Sequence, residues 1–210
     1  MMSIKQERNH RGFTLVELSV ALMVTGIVLA AAGTLSYALG TVNDASHDTS
    51  KKQAQLRYAT LRISELIKHC RLICGAADND LAVWQADDNG DGEINPKELV
   101  YLEAGLDRNY LRLLDFPSAP DWAVMLSSIL SGTAKAELTL ICEERQAALV
   151  PECSNVQFLL DSAPPWTRSV SVRFELVESG SRQYEVRAAL RGWAGHLLDA
   201  SGDSIVGDDD

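Results

Sequence analysis

The chain has 210 residues, 46% of them hydrophobic and 6% aromatic, enough for one domain with its own core beside a further apolar segment. Its formal net charge of −10 argues against direct nucleic-acid binding, which needs a basic patch to replace phosphate counterions. No phosphate-binding glycine loop, GxSxG elbow or HExxH helix is present, and His10, His47, His69 and His196 are scattered, so the sequence points away from an enzyme.

A basic cluster, Lys5, Arg8 and Arg11, opens the chain. From Phe13 to Leu39 the residues are then apolar, with Glu17 the only charge. At about 1.5 Å per residue this stretch reaches roughly 40 Å as a helix, against roughly 30 Å of hydrocarbon in a bilayer. The spacing predicts a membrane-spanning helix over 13–39. The basic flank places its N-terminus in the cytoplasm and the rest of the chain outside. Glu17 is anomalous there. A carboxylate inside a span costs about 2.5–3.5 kcal/mol near the centre and less near an end. No cation lies on its own helix face, so its partner is expected from another chain or from a free N-terminus. An ordinary membrane anchor and a secretory signal are the competing readings, the second because Ala30-Ala31-Ala32-Gly33 resembles a cleavage site. N-terminal sequencing separates the signal from the span: Gly33 against Phe13.

Residues 40–75 turn polar and then amphipathic. Ala59, Ile63, Leu66, Ile67, Cys70 and Ile73 recur at helical spacing, with Lys51, Lys52, Arg57 and Arg62 off the stripe. The expectation is a continuation of the first helix, with room for a bend at Gly40 and residues 43–46 and a stop at Gly75. Strands are predicted over 81–85, 99–103, 110–114, 137–142 and 156–160, and a short helix over 122–130 with Asp121 near its N-terminus. Residues 169–178 alternate Val170, Val172, Phe174 and Leu176 with polar positions; Gly180 lies in a turn, and 183–190 return as the second strand of a hairpin. The fold class is therefore α+β: a long N-terminal helix packed on an antiparallel sheet with one buried face. The β-rich body spans 76–198, and the acidic tail 199–210 is expected to be disordered.

Within that body, Asp87-Asp88-Asn89-Gly90-Asp91-Gly92-Glu93-Ile94-Asn95-Pro96-Lys97-Glu98 matches the calcium-loop template. Asp87, Asn89 and Asp91 would give side-chain oxygens, Glu93 its carbonyl, Asn95 an oxygen directly or through water, and Glu98 both carboxylate oxygens. Gly92 permits the sharp turn and Ile94 packs inward. The loop resembles a single EF-hand loop, but its leading flank reads as extended and there is no second loop to pair with. A structural Ca2+ joining the flanking strands is expected. The competing reading is a solvated acidic turn, since Asn-Gly and Asp-Gly are ordinary turn dipeptides.

Four cysteines, Cys70, Cys74, Cys142 and Cys153, allow three pairings. Cys142 with Cys153 is the easiest, as a clip across a short connection. Cys70 and Cys74 on one helical turn would strain a bridge, and with His69 they lack a fourth ligand for zinc. Buried thiols remain the alternative to a disulfide.

The run Gly12-Phe13-Thr14-Leu15-Val16-Glu17 closely resembles the N-terminus of type IV pilins and type II secretion pseudopilins. The resemblance implies a leader, 1–12, cut after Gly12 by a prepilin peptidase, and N-methylation of Phe13. It implies further that Glu17 pairs with the N-terminal amine of a neighbouring subunit. Partners would be sister pilins and the inner-membrane assembly platform. Val156-Gln157-Phe158, Pro164-Pro165-Trp166 and the alternating hairpin resemble, more loosely, the J-type minor pseudopilin and the W-type minor pilin, implying a place at the filament tip. A different reading is a membrane-anchored, calcium-dependent binding module, displayed on 81–103 around Trp84.

Overall fold

A computed structural model describes residues 14–77, 79–105, 107–150, 152–176, 182–199 and 205, without the side chains of 42–49. The leader, Gly12, Phe13, the turn around Gly180 and all of the tail from 200 on except Ile205 lie outside the described residues. The chain divides into two units, Met1–Lys52 and Gln53–Asp210. Helix α1 (Leu15–His69) contributes its first part to one and its last part to the other.

In the first unit, Leu15–Thr41 is long and apolar enough to cross a membrane, and none of it is buried. Ser19, Thr25, Thr34 and Thr41 return their hydroxyls to carbonyls three or four residues back, so these four hydroxyls are satisfied within the helix. Gly40 and residues 43–46, where a bend was expected, are helical.

In the second unit the strands of the described residues form two antiparallel meanders. The first sheet runs β1 (Leu72–Ala77), β2 (Asp80–Trp84), β3 (Leu99–Ala104), β4 (Leu111–Asp115) and β5 (Arg145–Val150) in that order. The second runs β6 (Cys153–Leu160), β7 (Ser169–Leu176) and β8 (Arg182–Ala189). Ala59, Ile63, Leu66 and Ile67 of α1 share one core with Ile73, Leu81, Val83, Val100 and Leu102 of the first sheet. Val170, Val172, Phe174, Val186 and Ala188 of the second sheet belong to the same core. The hairpin of β7 and β8 buries one face, as its alternation predicts.

The opposite face of the first sheet carries a second core. Leu72, Cys74, Ala82, Trp84, Leu99, Tyr101 and Leu114 meet Leu126 and Ile129 of α2 (Leu126–Leu130) and Ala134 and Leu138 of α3 (Thr133–Ile141). Successive residues of β2 and β3 therefore alternate between two cores, not between core and water. Their unbroken apolar runs, Leu81-Ala82-Val83-Trp84 and Leu99-Val100-Tyr101-Leu102, are what a doubly covered strand requires. Ile205, the described residue of the tail, forms a bridge with Leu198 and packs on this second core.

Three expectations are corrected. The helix ends at His69, not at Gly75. The Arg71 N–H donates to the Trp84 carbonyl at 2.8 Å, and the chain turns into β1, where Ile73 faces the first core and Cys74 the second. Gly75 sits at the irregularity in the β1–β2 register, where a Cβ would lie 3.1 Å from the carbonyl oxygen of Ile129 in α2. Residues 137–141 belong to helix α3 rather than a strand, and Cys142 caps its end: Ala134 and Leu138, one turn apart, are buried, while Leu140 and Ile141 are exposed. The helix expected over 122–130 forms only from Leu126, and Asp121 pairs with Lys97 at 3.0 Å instead of capping it.

Candidate functional site

At the start of α1, Thr14 and Glu17 lock into each other. Glu17 Oε2 accepts the Thr14 N–H at 3.0 Å and the Thr14 hydroxyl at 2.9 Å, while the Glu17 N–H donates to Thr14 Oγ1 at 3.3 Å. This is a capping box, and it satisfies two donors at a helix end that have no intrahelical acceptor. Its sequence signal, Thr-x-x-Glu, was in plain view beside the apolar run. Among the described residues no basic side chain pairs with Glu17, and Oε1 takes no hydrogen bond. Glu17 thus has a local partner for one oxygen, and among the described residues none for the other.

The acidic loop joins β2 to β3, so both flanks are strand or short turn rather than EF-hand helices; only a 3-10 turn, Pro96–Glu98, precedes β3. Gly92 has φ of +72°, the left-handed conformation that glycine adopts without penalty. Ile94 is buried in the second core. Asp91 Oδ2 accepts the side-chain amides of Asn89 at 2.6 Å and Asn95 at 2.9 Å, and Oδ1 accepts the Glu93 N–H at 2.8 Å. The Asn95 amide and the Glu93 N–H hold the Asp91 carboxyl below its ordinary range. Two expected ligands, Asn89 and Asn95, are thereby both held to a third, Asp91.

Glu98 faces inward. Its Oε2 accepts the Trp84 indole N–H at 2.9 Å and the Asn95 N–H at 3.3 Å, and Oε1 accepts the Asp88 N–H at 2.8 Å. Asp87 accepts Gly90 N–H at 2.8 Å and Gly92 N–H at 3.3 Å, and Arg71 Nη1 lies 2.9 Å from its Oδ2. No group of three or more His, Cys, Asp or Glu side chains is gathered around one point among the described residues. The donor set is nonetheless all hard oxygen, as calcium requires. The amide groups of Asn89 and Asn95 present an oxygen in place of nitrogen by a half-turn.

Arg71 is the residue that sequence reasoning missed. Its guanidinium also lies 5.1 Å from the centre of the Trp84 ring. Arg71, Asp87 and Asp91 line a cleft of about 330 Å³ together with Trp193 and His196. Nothing local marks Arg71; pairing of Leu72 with Trp84 brings it to the loop. Trp84 itself is fully buried and not available to a partner; within 81–103 the exposed residues are Gln85, 88–91, Glu93 and Lys97.

All four cysteines are free thiols. Cys142 packs beside the second core and Cys153 lies in the first, so the sheet separates the expected pair. Cys70 and Cys74 likewise face different cores. Burial pushes the thiol of Cys70 up to about 12 and that of Cys153 up to about 11, and raises Cys74 as well. These groups stay protonated at neutral pH, which disfavours thiolate metal binding.

No curated protein and no solved structure matches the chain. A family model, the prokaryotic N-terminal methylation motif, matches residues 8–33, which include the capping box and Glu17. Together with the apolar helix that follows, this match supports placing the chain in the type IV pilin and pseudopilin family.

Proposed function

We propose that the protein is a minor pseudopilin or minor pilin, of the J or W type, at the tip of a secretion pseudopilus or type IV pilus. It is inserted in the inner membrane with its N-terminus in the cytoplasm, and prepilin peptidase cuts between Gly12 and Phe13, whose new amine is methylated. The single observation that carries the reading is the methylation motif over residues 8–33, continued by an apolar helix with no burial of its own. The chain leaves the bilayer by packing that helix on sister helices. The open oxygen of Glu17 then accepts a neighbour's N-terminal amine, so an acid that is costly in lipid becomes half of an ion pair.

Glu17→Val keeps the protein in the membrane fraction and lowers its recovery in sheared filaments severalfold. Equal recovery of variant and wild type counts against the assembly role. Sequencing of the matured chain is expected to begin at Phe13.

A structural Ca2+ in loop 87–98 is part of the same proposal, supported by the hard-oxygen donor set, the left-handed Gly92 and the buried Ile94. The ion would be held by Asp87, Asn89, Asp91, Asn95, Glu98 and the Glu93 carbonyl, with the affinity of about 0.1–1 mM common to isolated extracellular sites. Calorimetry of the full chain in detergent is expected to register uptake in that range.

A further inference from the structure

We propose that Arg71 is a tethered counter-cation of the acidic loop, holding Asp87 when no divalent ion is bound and yielding that carboxylate as the ion enters. The inference rests on the calcium reading given above and concerns how the site is regulated.

Among the described residues, Arg71 is the basic side chain that pairs with a carboxylate of the expected ligand set. Asp87 is the first position of that set, so the guanidinium is bound to a group the ion needs. The contact is made 16 residues away in sequence and is held from the backbone. Arg71 donates its N–H to the Trp84 carbonyl, and its own carbonyl accepts the Ala194 N–H, both at 2.8 Å. The base of the side chain is therefore fixed while the guanidinium, stacked 5.1 Å from the Trp84 ring centre, borders the open cleft shared with Trp193 and His196. The cleft gives the displaced group somewhere to go.

The charges decide the direction of the effect. The Arg71 side chain is 39% exposed and that of Asp87 10%, so water screens the pair from the guanidinium side only, and a doubly charged ion with several oxygen ligands outcompetes the single cation. Before the ion arrives, the guanidinium neutralises part of the loop and ties it to the start of β1. After it arrives, a positive charge next to a ligand opposes the ion. Arg71 thus gives an ordered loop without calcium at the expense of calcium affinity.

Calorimetric titration of calcium into the chelator-treated full chain in detergent micelles tests this. Arg71→Gln is expected to bind calcium about tenfold more tightly than wild type, and Arg71→Lys, which keeps the charge, to stay within about threefold. Equal affinity of wild type and Arg71→Gln overturns the counter-cation role and leaves the calcium reading standing. Uptake by neither overturns the calcium reading and this inference with it. The wild-type chain provides a test that does not depend on any variant folding: the Arg71 Nε–H resonance is expected to shift as calcium saturates the loop. A resonance that stays in place through a saturating titration overturns the displacement.

Discussion

Leu22 in the first unit and Leu102 in the second are the same side chain with opposite fates: 66% exposed in one, fully buried in the other. The contrast extends to their surroundings. Across Leu15–Thr41 no residue is buried, whereas from Ala59 onward the apolar side chains close two cores on either face of one sheet. Hydrophobicity alone does not distinguish these regions. The body supplies its own apolar environment, whereas Leu15–Thr41 is not buried and, on the function proposed above, is covered by lipid or by sister helices. A stripe of apolar residues therefore reports on folding in the second unit and on assembly in the first.

The sharpest way to break this comparison is through the core of the body. Trp84 is fully buried in the second core and donates its indole N–H to the inward-facing Glu98. Trp84→Ala leaves a cavity and removes the shorter of the two hydrogen bonds to Glu98 Oε2, and is expected to cost about 3–5 kcal/mol in urea unfolding followed by far-UV circular dichroism. A loss under about 1 kcal/mol would mean that the body is not the self-sufficient unit described.

That core also explains which parts of the fold could be read from the chain. Strands β2, β3, β4, β6, β7 and β8 were legible because their β-branched and aromatic residues fall in short runs between turn residues. Strand β1 was read as helix because Cys70 and Ile73 continue the spacing of Ile63, Leu66 and Ile67, and only the tertiary pairing of Leu72 with Trp84 ends the helix earlier. In α3 the alternation Leu138-Thr139-Leu140 imitates a strand, while the position that matters is Leu138 one turn from Ala134. Strand β5 was missed because four of its six residues, Arg145 to Ala148, are exposed at the sheet edge and carry no apolar pattern. At the candidate site the same division holds. The oxygen donors of the loop lie within 12 residues and were readable from their spacing, whereas Arg71 comes from the other side of a strand pair.

A smaller effect sharpens the account of the body. Glu103 on β3 meets Arg112 Nε at 2.5 Å and Lys135 Nζ at 3.1 Å, and Lys135 also reaches Asp80 at 2.6 Å, so this network fastens α3 to the sheet. Burial by itself would raise the Glu103 carboxyl, but the hydrogen bond from Arg112 and the charge of Lys135 outweigh it and hold the group below its ordinary 4.5. A carboxylate lowered by folding contributes stability above its unfolded value, and that contribution is lost as pH falls through the folded value. Unfolding measured from pH 6 down to pH 3 should show stability falling below about pH 4.5, and Glu103→Gln should flatten that fall. An unchanged acid limb in the variant would assign the loss to other carboxylates.

The smallest expected effect falls on the helix, and its smallness is the point. Leu22→Ala in a fully buried site would cost about 2–5 kcal/mol. At Leu22, where the chain covers nothing, the urea midpoint of the body is expected to move by less than about 0.5 kcal/mol equivalent. Membrane retention should also persist, because the rest of Leu15–Thr41 still exceeds the roughly 20 apolar residues a span needs. The lost methylenes matter only where another helix packs on them, so the measurable consequence is reduced recovery in filaments. A shift above about 1 kcal/mol in the unfolding of the body would mean that Leu22 packs within its own chain, and the separation of folding from assembly would then fail.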